Sequence, residues 1–147
     1  MKQIVLFFII LFSLNSCCND DSETIIVDTI GKNNLYGGGE EGISKSNLVI
    51  NDSENWNNLI TKMNSRSNVS NSFTETDIDF TKYQIIAVFD EVKYSGGYSI
   101  DIIDITENNG TVVIKIENLK KGDATSVITQ PFHIIKIKKT NKEIVFE

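Results

Sequence analysis

The sequence at residues 85–89 is Ile85-Ile86-Ala87-Val88-Phe89, an apolar run on both strand parities. A strand with one solvated face alternates apolar and polar residues, whereas a strand covered on both faces is apolar throughout. The run therefore predicts a central strand, in a sheet whose two faces are both covered by other parts of the chain.

A hairpin is predicted on the C-terminal side of this run. Strand-like segments at 98–105 and 111–117 flank Asn108-Asn109-Gly110, and an Asn-Gly pair suits a tight turn because both residues tolerate positive φ. In the first segment the apolar residues switch from even to odd positions between Ile102 and Ile103, and so from one face of the strand to the other. This switch predicts either a β-bulge or a strand with two covered faces.

Four further segments complete the predicted β-structure. The segments 132–138 and 143–146 predict a last hairpin around Asn141-Lys142. The segments 24–31 and 43–50 predict the first two strands of the domain.

One helix is predicted near residues 53–64. An apolar stripe at helical spacing is formed by Trp56, Leu59, Ile60 and Met63. Such a stripe packs against a core, and Asp52 is among the residues that can cap the helix. Residues 64–72 are rich in Asn and Ser and predict a loop. The predicted fold class is mainly β (α+β), an antiparallel sheet or β-sandwich-like domain over residues 25–147 with this one short helix.

Composition excludes several classes of function. The chain carries 14 basic and 20 acidic residues, for a net charge of −6, and no basic stripe, which argues against a nucleic-acid partner. His133 is the single histidine and no cysteine follows Cys18, so a multi-histidine or multi-thiolate metal site cannot form in the domain. The run Tyr36-Gly37-Gly38-Gly39 lacks phosphate-loop spacing and predicts a turn. We therefore predict a non-enzymatic protein without catalytic residues, cofactor or metal.

Polar residues inside the predicted strands have structural interpretations. His133 shares a strand face with Ile135 and Ile137, which predicts a hydrogen-bonded side chain at the edge of the core. Asp101 and Asp104 do not share a face and match no EF-hand pattern. These two carboxylates are predicted to lie at solvated strand edges.

The N-terminus has the pattern of a bacterial lipoprotein signal peptide. Lys2 is followed by the apolar run 4–12, which is far shorter than the roughly 20 apolar residues of a spanning helix. Leu14-Asn15-Ser16-Cys17 then resembles a lipobox, which predicts cleavage after Ser16 and acylation of Cys17. The alternative is an ordinary secretory signal, which would leave Cys17 and Cys18 as vicinal thiols.

A polar tether is predicted between the acylated cysteine and the domain. Residues 17–24 contain Asn19-Asp20-Asp21-Ser22-Glu23, which is too polar to pack. This acidic stretch resembles the export signal that places some outer-membrane lipoproteins on the cell surface, and its alternative is a solvated spacer. The predicted location is the outer membrane, with the protein held by its lipid anchor. The export-signal interpretation places it at the cell surface, and the spacer interpretation leaves both the periplasmic and the surface leaflet open.

The most distinctive internal run is Lys93-Tyr94-Ser95-Gly96-Gly97-Tyr98-Ser99-Ile100. Two glycines between tyrosines allow positive φ immediately before a strand. One interpretation is a tight turn with packed tyrosines. The other is an exposed aromatic loop that binds a protein partner, because tyrosine is favoured at interfaces. Its candidate binding residues are Tyr94, Ser95, Gly96, Gly97 and Tyr98.

Three segments carry a resemblance to a known family. The runs 85–89, 95–100 and 129–137, in this order, resemble the C-terminal domain of the protease complex subunit PrcB family, over about residues 79–146. The motif residues in the last run are Thr129, Pro131, Phe132 and His133. The resemblance implies a lipoprotein or secreted protein that associates with a surface serine protease without being the peptidase. Residues 120–124 depart from the family pattern, which is richer in proline there.

Three functions are consistent with these features. The first is a lipid-anchored envelope protein that binds a protein partner as an accessory subunit of a surface protease. The second is a protease inhibitor that inserts loop 94–98 into an active-site cleft. The third is a small-ligand or glycan module that uses Tyr36, Tyr94 and Tyr98.

We predict that Cys17→Ala abolishes acylation and releases the protein from membranes, because the lipid chains supply the membrane affinity. Metabolic labelling with an alkyne fatty acid checks this, and Cys18→Ala is the control that keeps its label. Unchanged labelling of the Cys17 variant would refute the lipobox assignment.

Overall fold

The computed structural model describes residues 27–108 and 110–147. The predictions for the signal peptide, Cys17, the tether and Asn109 concern residues outside these ranges. The elements are β1 Val27–Leu35, β2 Ser46–Ile50, α1 Ser53–Met63, a 3₁₀ helix Val69–Ser72, β3 Tyr83–Phe89, β4 Asp101–Asn108, β5 Thr111–Glu117, β6 Gln130–Lys138 and β7 Glu143–Phe146. The predicted mainly β class with one short α-helix is confirmed for the described residues.

The strands form two sheets. The first sheet has the order β1-β6-β3-β2 and is antiparallel throughout. The second has the order β4-β5-β7. The β4–β5 hairpin is confirmed, and its register shifts between Ile102 and Asp104, so the change of apolar parity marks a bulge. The predicted strand 98–105 begins later, at Asp101, and Tyr98 makes only an isolated bridge to Lys121.

The predicted last hairpin is wrong. β7 does not pair with β6 but runs parallel to β5, with Thr111 opposite Glu143 and Ile114 opposite Phe146. A hairpin is impossible because β1 and β3 already occupy both edges of β6. Because β7 joins the second sheet, its residues Ile144 and Phe146 also pack against the core between the sheets.

β3 is the central strand predicted from its apolar run. Its side chains alternate between two cores: Ile85, Ala87 and Phe89 enter the first and Ile86 and Val88 the second. All five are fully buried. The second core lies between the two sheets and also contains Ile100, Val112, Ile114, Ile135 and Ile137.

The first core lies between the four-stranded sheet and α1. Asp52 caps the helix by accepting a hydrogen bond from the backbone N–H of Asn55 at 2.8 Å. The predicted stripe faces the sheet, with Trp56, Leu59 and Met63 buried. Among the described residues no helix is both long and apolar enough to span a bilayer.

The segment after the helix is more ordered than the loop predicted for residues 64–72. Its 3₁₀ helix is closed by Asn64, whose side chain accepts from the backbone N–H of Ser70 at 3.0 Å and donates to the Ser70 hydroxyl at 2.7 Å. Phe73 follows and stacks on Trp56, with ring centroids 6.2 Å apart. Thus the segment completes the first core.

We predict that Trp56→Ala lowers the free energy of unfolding by roughly 3–5 kcal/mol, the range for a buried large aromatic side chain. The indole is 1 % exposed, and its Nε1–H donates to the backbone carbonyl of Thr76 at 2.8 Å. Equilibrium denaturation measures the loss. A loss below about 1 kcal/mol would mean that the ring contributes little to the core.

Candidate functional site

Three connections gather at one end of the four-stranded sheet. β1 ends there at Leu35, opposite Gln130, and β3 ends there at Phe89, opposite Ser46 and Phe132. The connections that leave or enter these strand ends are 36–45, 90–100 and 118–129. We refer to these three connections together as the loop end.

Two of these connections pair with each other. Lys93 and Thr129 form an antiparallel bridge, in which the Lys93 N–H donates to Thr129 at 2.7 Å and the Thr129 N–H donates back at 2.9 Å. The Thr129 hydroxyl also donates to the carbonyl of Ser95 at 3.1 Å. The family-motif threonine therefore holds the start of the tyrosine loop in place.

The Gly96-Gly97 turn rests directly on the segment 120–125. The carbonyls of Gly97 and Gly96 accept from the N–H groups of Gly122 and Asp123 at 3.0 and 2.9 Å. Gly97 has φ +72°, and a Cβ there would lie 2.5 Å from the Asp123 carboxylate. The segment that departs from the family pattern is thus the platform of this turn.

The two tyrosines of the loop have different environments. Tyr94 is 84 % exposed. Tyr98 is half-buried, and its ring covers Gly122, where a Cβ would lie 2.4 Å from the ring carbon Cζ. The ammonium group of Lys93 lies 5.2 Å from the centre of the same ring. Tyr98 therefore serves as packing within the loop end, whereas Tyr94 is presented to solvent.

Other exposed apolar side chains belong to the connections of the loop end. Ile128 precedes the Thr129 bridge and is 43 % exposed, and a Cβ at Gly38 would lie 3.6 Å from it. This places the turn 36–39 beside the Lys93–Thr129 bridge, and Tyr36 in that turn is 54 % exposed. The loop end therefore displays Tyr36, Tyr94 and Ile128, while Tyr98 does not join them.

Asp90 anchors the loop end from inside. The residue is 1 % exposed and directly follows β3. Its carboxylate forms ion pairs with the ammonium groups of Lys45 at 3.2 Å and Lys93 at 3.1 Å. It also accepts a hydrogen bond from the side-chain amide of Asn118 at 3.0 Å. Burial opposes ionisation of this group, but the hydrogen bonds from the Glu91 N–H and the two lysines outweigh it and lower the pKa of Asp90. One ionised carboxylate thereby connects all three parts of the loop end.

The predicted solvated position of Asp101 is wrong. This carboxylate is 2 % exposed, forms an ion pair with Lys32, and accepts from the Ser99 hydroxyl and from the Leu119 N–H at 3.0 Å. Burial again opposes ionisation, and these three partners nevertheless lower the pKa of Asp101. Asp101 fixes the end of the tyrosine loop to the connection after β5.

The other family-motif residues are structural. The carbonyl of Pro131 accepts a hydrogen bond from the backbone N–H of Asp90 at 3.0 Å. Phe132 lies in the first core, where the centroid of its ring is 6.1 Å from that of Phe89. His133 is 6 % exposed, and its Nδ1 accepts from the N–H of Ile102 at 2.9 Å. The prediction of a hydrogen-bonded histidine at the core edge is confirmed, and this bond links the two sheets.

The buried ionisable groups at and beside the loop end are engaged by other groups of the domain. Asp90 and Asp101 are held ionised by lysines, and the lone pair of His133 at Nδ1 is occupied by a backbone N–H. The described residues contain no group of three or more His, Cys, Asp or Glu side chains that could hold a metal ion.

The comparisons agree with the resemblance read from the sequence. The model of the family described as PrcB C-terminal matches residues 84–138, from the second residue of β3 to the end of β6. Neither a curated protein nor a solved structure matches the chain. The resemblance to the PrcB family is therefore confirmed over this segment, which contains the tyrosine loop, its platform and the motif histidine.

We predict that the fold loses stability as the pH falls from 6.5 to 4 and that His133→Asn removes most of this loss. Burial, reinforced by the charge of Lys32 and opposed by that of Asp101, lowers the pKa of His133 to about 4. As the pH falls below about 6.5, the unfolded chain binds a proton at this histidine and the folded chain does not. The contribution of His133 to the free energy of unfolding is therefore complete above pH 6.5 and falls by at most about 2–3 kcal/mol toward pH 4.

Denaturant melts at pH 7 and pH 4.5 measure this difference. Asn can keep an acceptor for the Ile102 N–H but does not titrate. Equal losses in the wild type and the variant would contradict the assignment to His133.

Proposed function

We propose that this chain is a non-enzymatic, lipid-anchored protein of the cell envelope that binds a protein partner through the loop end, as an accessory subunit of a surface protease. The observation that carries the proposal is Tyr94, which is 84 % exposed on a loop whose flanks are bonded to their surroundings on both sides. The PrcB C-terminal match over residues 84–138 supports an association with a protease complex.

Preorganisation supports a binding role for this loop. Ordering a loop on association costs free energy for each immobilised side chain and backbone segment. Here Thr129 and the platform 120–125 hold the loop before any partner arrives. A tyrosine adds a large contact area with few rotatable bonds, which makes it a frequent anchor of interfaces. Tyr36 and Ile128 are further exposed apolar side chains of the loop end that a partner could contact.

The direction of β1 supports the combination of anchor and binding site. β1 begins at Val27, beside Ile137, and ends at Leu35, beside Gln130 in the loop end. Nine residues of strand separate these two ends by about 27 Å. The tether 17–24 precedes Val27, so a lipid at Cys17 would join the domain at the end opposite the loop end. A partner could then reach Tyr94 from the side away from the membrane.

The inhibitor hypothesis uses the same loop in another way. An inhibitor must insert an exposed side chain into an active-site cleft, and Tyr94 is the exposed residue of this loop. The two functions differ in a measurable quantity. An inhibitor blocks a protease panel at sub-micromolar concentration, whereas an accessory subunit raises the abundance of its partner without blocking it.

We predict that Tyr94→Ala weakens partner capture but leaves the melting temperature unchanged, whereas Gly97→Ala lowers it. Because the Tyr94 side chain is exposed, replacing it should change the free energy of unfolding by about 0.5 kcal/mol or less. At Gly97 a side chain meets both φ +72° and the backbone N of Asp123 at 2.8 Å, so the loss should exceed about 1 kcal/mol.

The measurements are a thermal melt and an affinity purification of the tagged protein from its native envelope, on both variants. Tyr83→Phe is a control that alters a tyrosine far from the loop end, in the strand end opposite Lys138. If Tyr94→Ala melts early while capture persists, Tyr94 is a packing residue and the proposed interface is refuted.

A further inference from the structure

β2 is an unpaired edge of the four-stranded sheet. Its five residues pair in continuous register with β3, from Ser46 opposite Phe89 to Ile50 opposite Ile85. Within residues 27–108 and 110–147 no strand pairs with the other side of β2. Alternate backbone N–H and C=O groups of such an edge point outward and can pair with a further strand.

The opposite edge of the same sheet is protected. β1 contains a register shift between Thr29 and Gly31. Thr74 covers this site, since its N–H donates to the carbonyl of Ile30 at 2.9 Å and its hydroxyl to that of Thr29 at 3.0 Å. Bulges and covering contacts are the usual devices against strand addition, and β2 has neither a bulge nor an inward charge.

A groove runs between β2 and α1. Its volume is about 360 Å³. Its apolar wall consists of Leu48, Val49, Ile50 and Leu59, and its polar wall consists of Asn55, Asn58 and Lys62. An edge strand beside such a groove can bind a peptide in two ways at once, because the backbone pairs with the edge and alternate side chains enter the groove.

The charge of the groove points to the chemistry of its occupant. Lys62 lies in the last turn of α1 and is exposed. Several other described lysines form ion pairs, as Lys45 does with Asp90 and Lys136 with Glu75. The side-chain ammonium group of Lys62 makes no ion pair or hydrogen bond with any residue in the described part of the chain. A carboxylate on an occupant of the groove could form an ion pair with this exposed ammonium group.

We propose that the groove between β2 and α1 binds an extended peptide segment of a partner protein, which adds to β2 as a fifth strand and places a carboxylate at Lys62. The proposal is independent of Tyr94 and the loop end, since its residues lie on β2 and α1. It gives the protein a second means of holding a partner, through an unfolded or terminal segment of that partner.

The test uses the full chain in detergent and a phage-displayed library of random twelve-residue peptides with free C-termini. We expect enriched peptides to alternate apolar residues and to carry an acidic side chain or to require the free carboxylate. Asn58→Arg fills the groove and should weaken capture of a synthetic enriched peptide at least tenfold. Asn57→Arg is the matched control, with the same change on an exposed helix position outside the groove, and should bind as the wild type does.

Two further measurements define the binding mode. Lys62→Glu should reverse the preference from acidic to basic peptides. Backbone amide exchange should slow at alternate residues of 46–50 in the presence of the peptide, while exchange in 93–98 stays unchanged.

Three outcomes would overturn the proposal. The first is a library without enrichment over the Asn58→Arg variant. The second is a peptide that protects residues 93–98 in place of 46–50. The third is a dimer in sedimentation that Asn58→Arg dissociates, which would assign the edge to a second copy of the chain.

Discussion

The burial of β3 on both faces is the constraint from which the rest of the architecture follows. A strand without access to water must pair every backbone group, and β2 and β6 do this on its two sides. Its side chains supply two separate cores, one toward α1 and one toward the second sheet. Each layer of the molecule is therefore a cover for one face of this strand.

The same constraint shapes the loop end. Where β3 leaves the core its next residue is Asp90, and a buried carboxylate must be compensated by charges and hydrogen-bond donors. Lys45, Lys93 and Asn118 come from three different connections to do so. Removing any one of them would leave charge or hydrogen-bonding capacity unpaired at the base of the tyrosine loop.

The sequence predicted the features that are encoded locally. The two-sided apolar run of β3, the stripe of α1 and the parity change at the bulge each depend on residues close in the chain. The partner of β7 could not be read in this way, because the four residues of Glu143–Phe146 carry no information about which strand edge is free. The burial of Asp101 was missed for the same reason, since its neutralising partner, Lys32, is distant in sequence. In the candidate site, the glycine pair and tyrosines were identified, but their platform at 120–125 belongs to another connection.

The contact between Tyr98 and Gly122 has a consequence for transplantation of the loop. The ring occupies the space that any side chain at 122 would need, and the Gly96-Gly97 turn is bonded to the neighbouring backbone. Residues 93–99 are therefore half of a composite unit whose other half is 120–129. Grafted alone onto a foreign scaffold, the tyrosine segment would lose the surface that sets its shape. Its geometry could be carried over only by moving both connections, together with the strand ends from which they emerge.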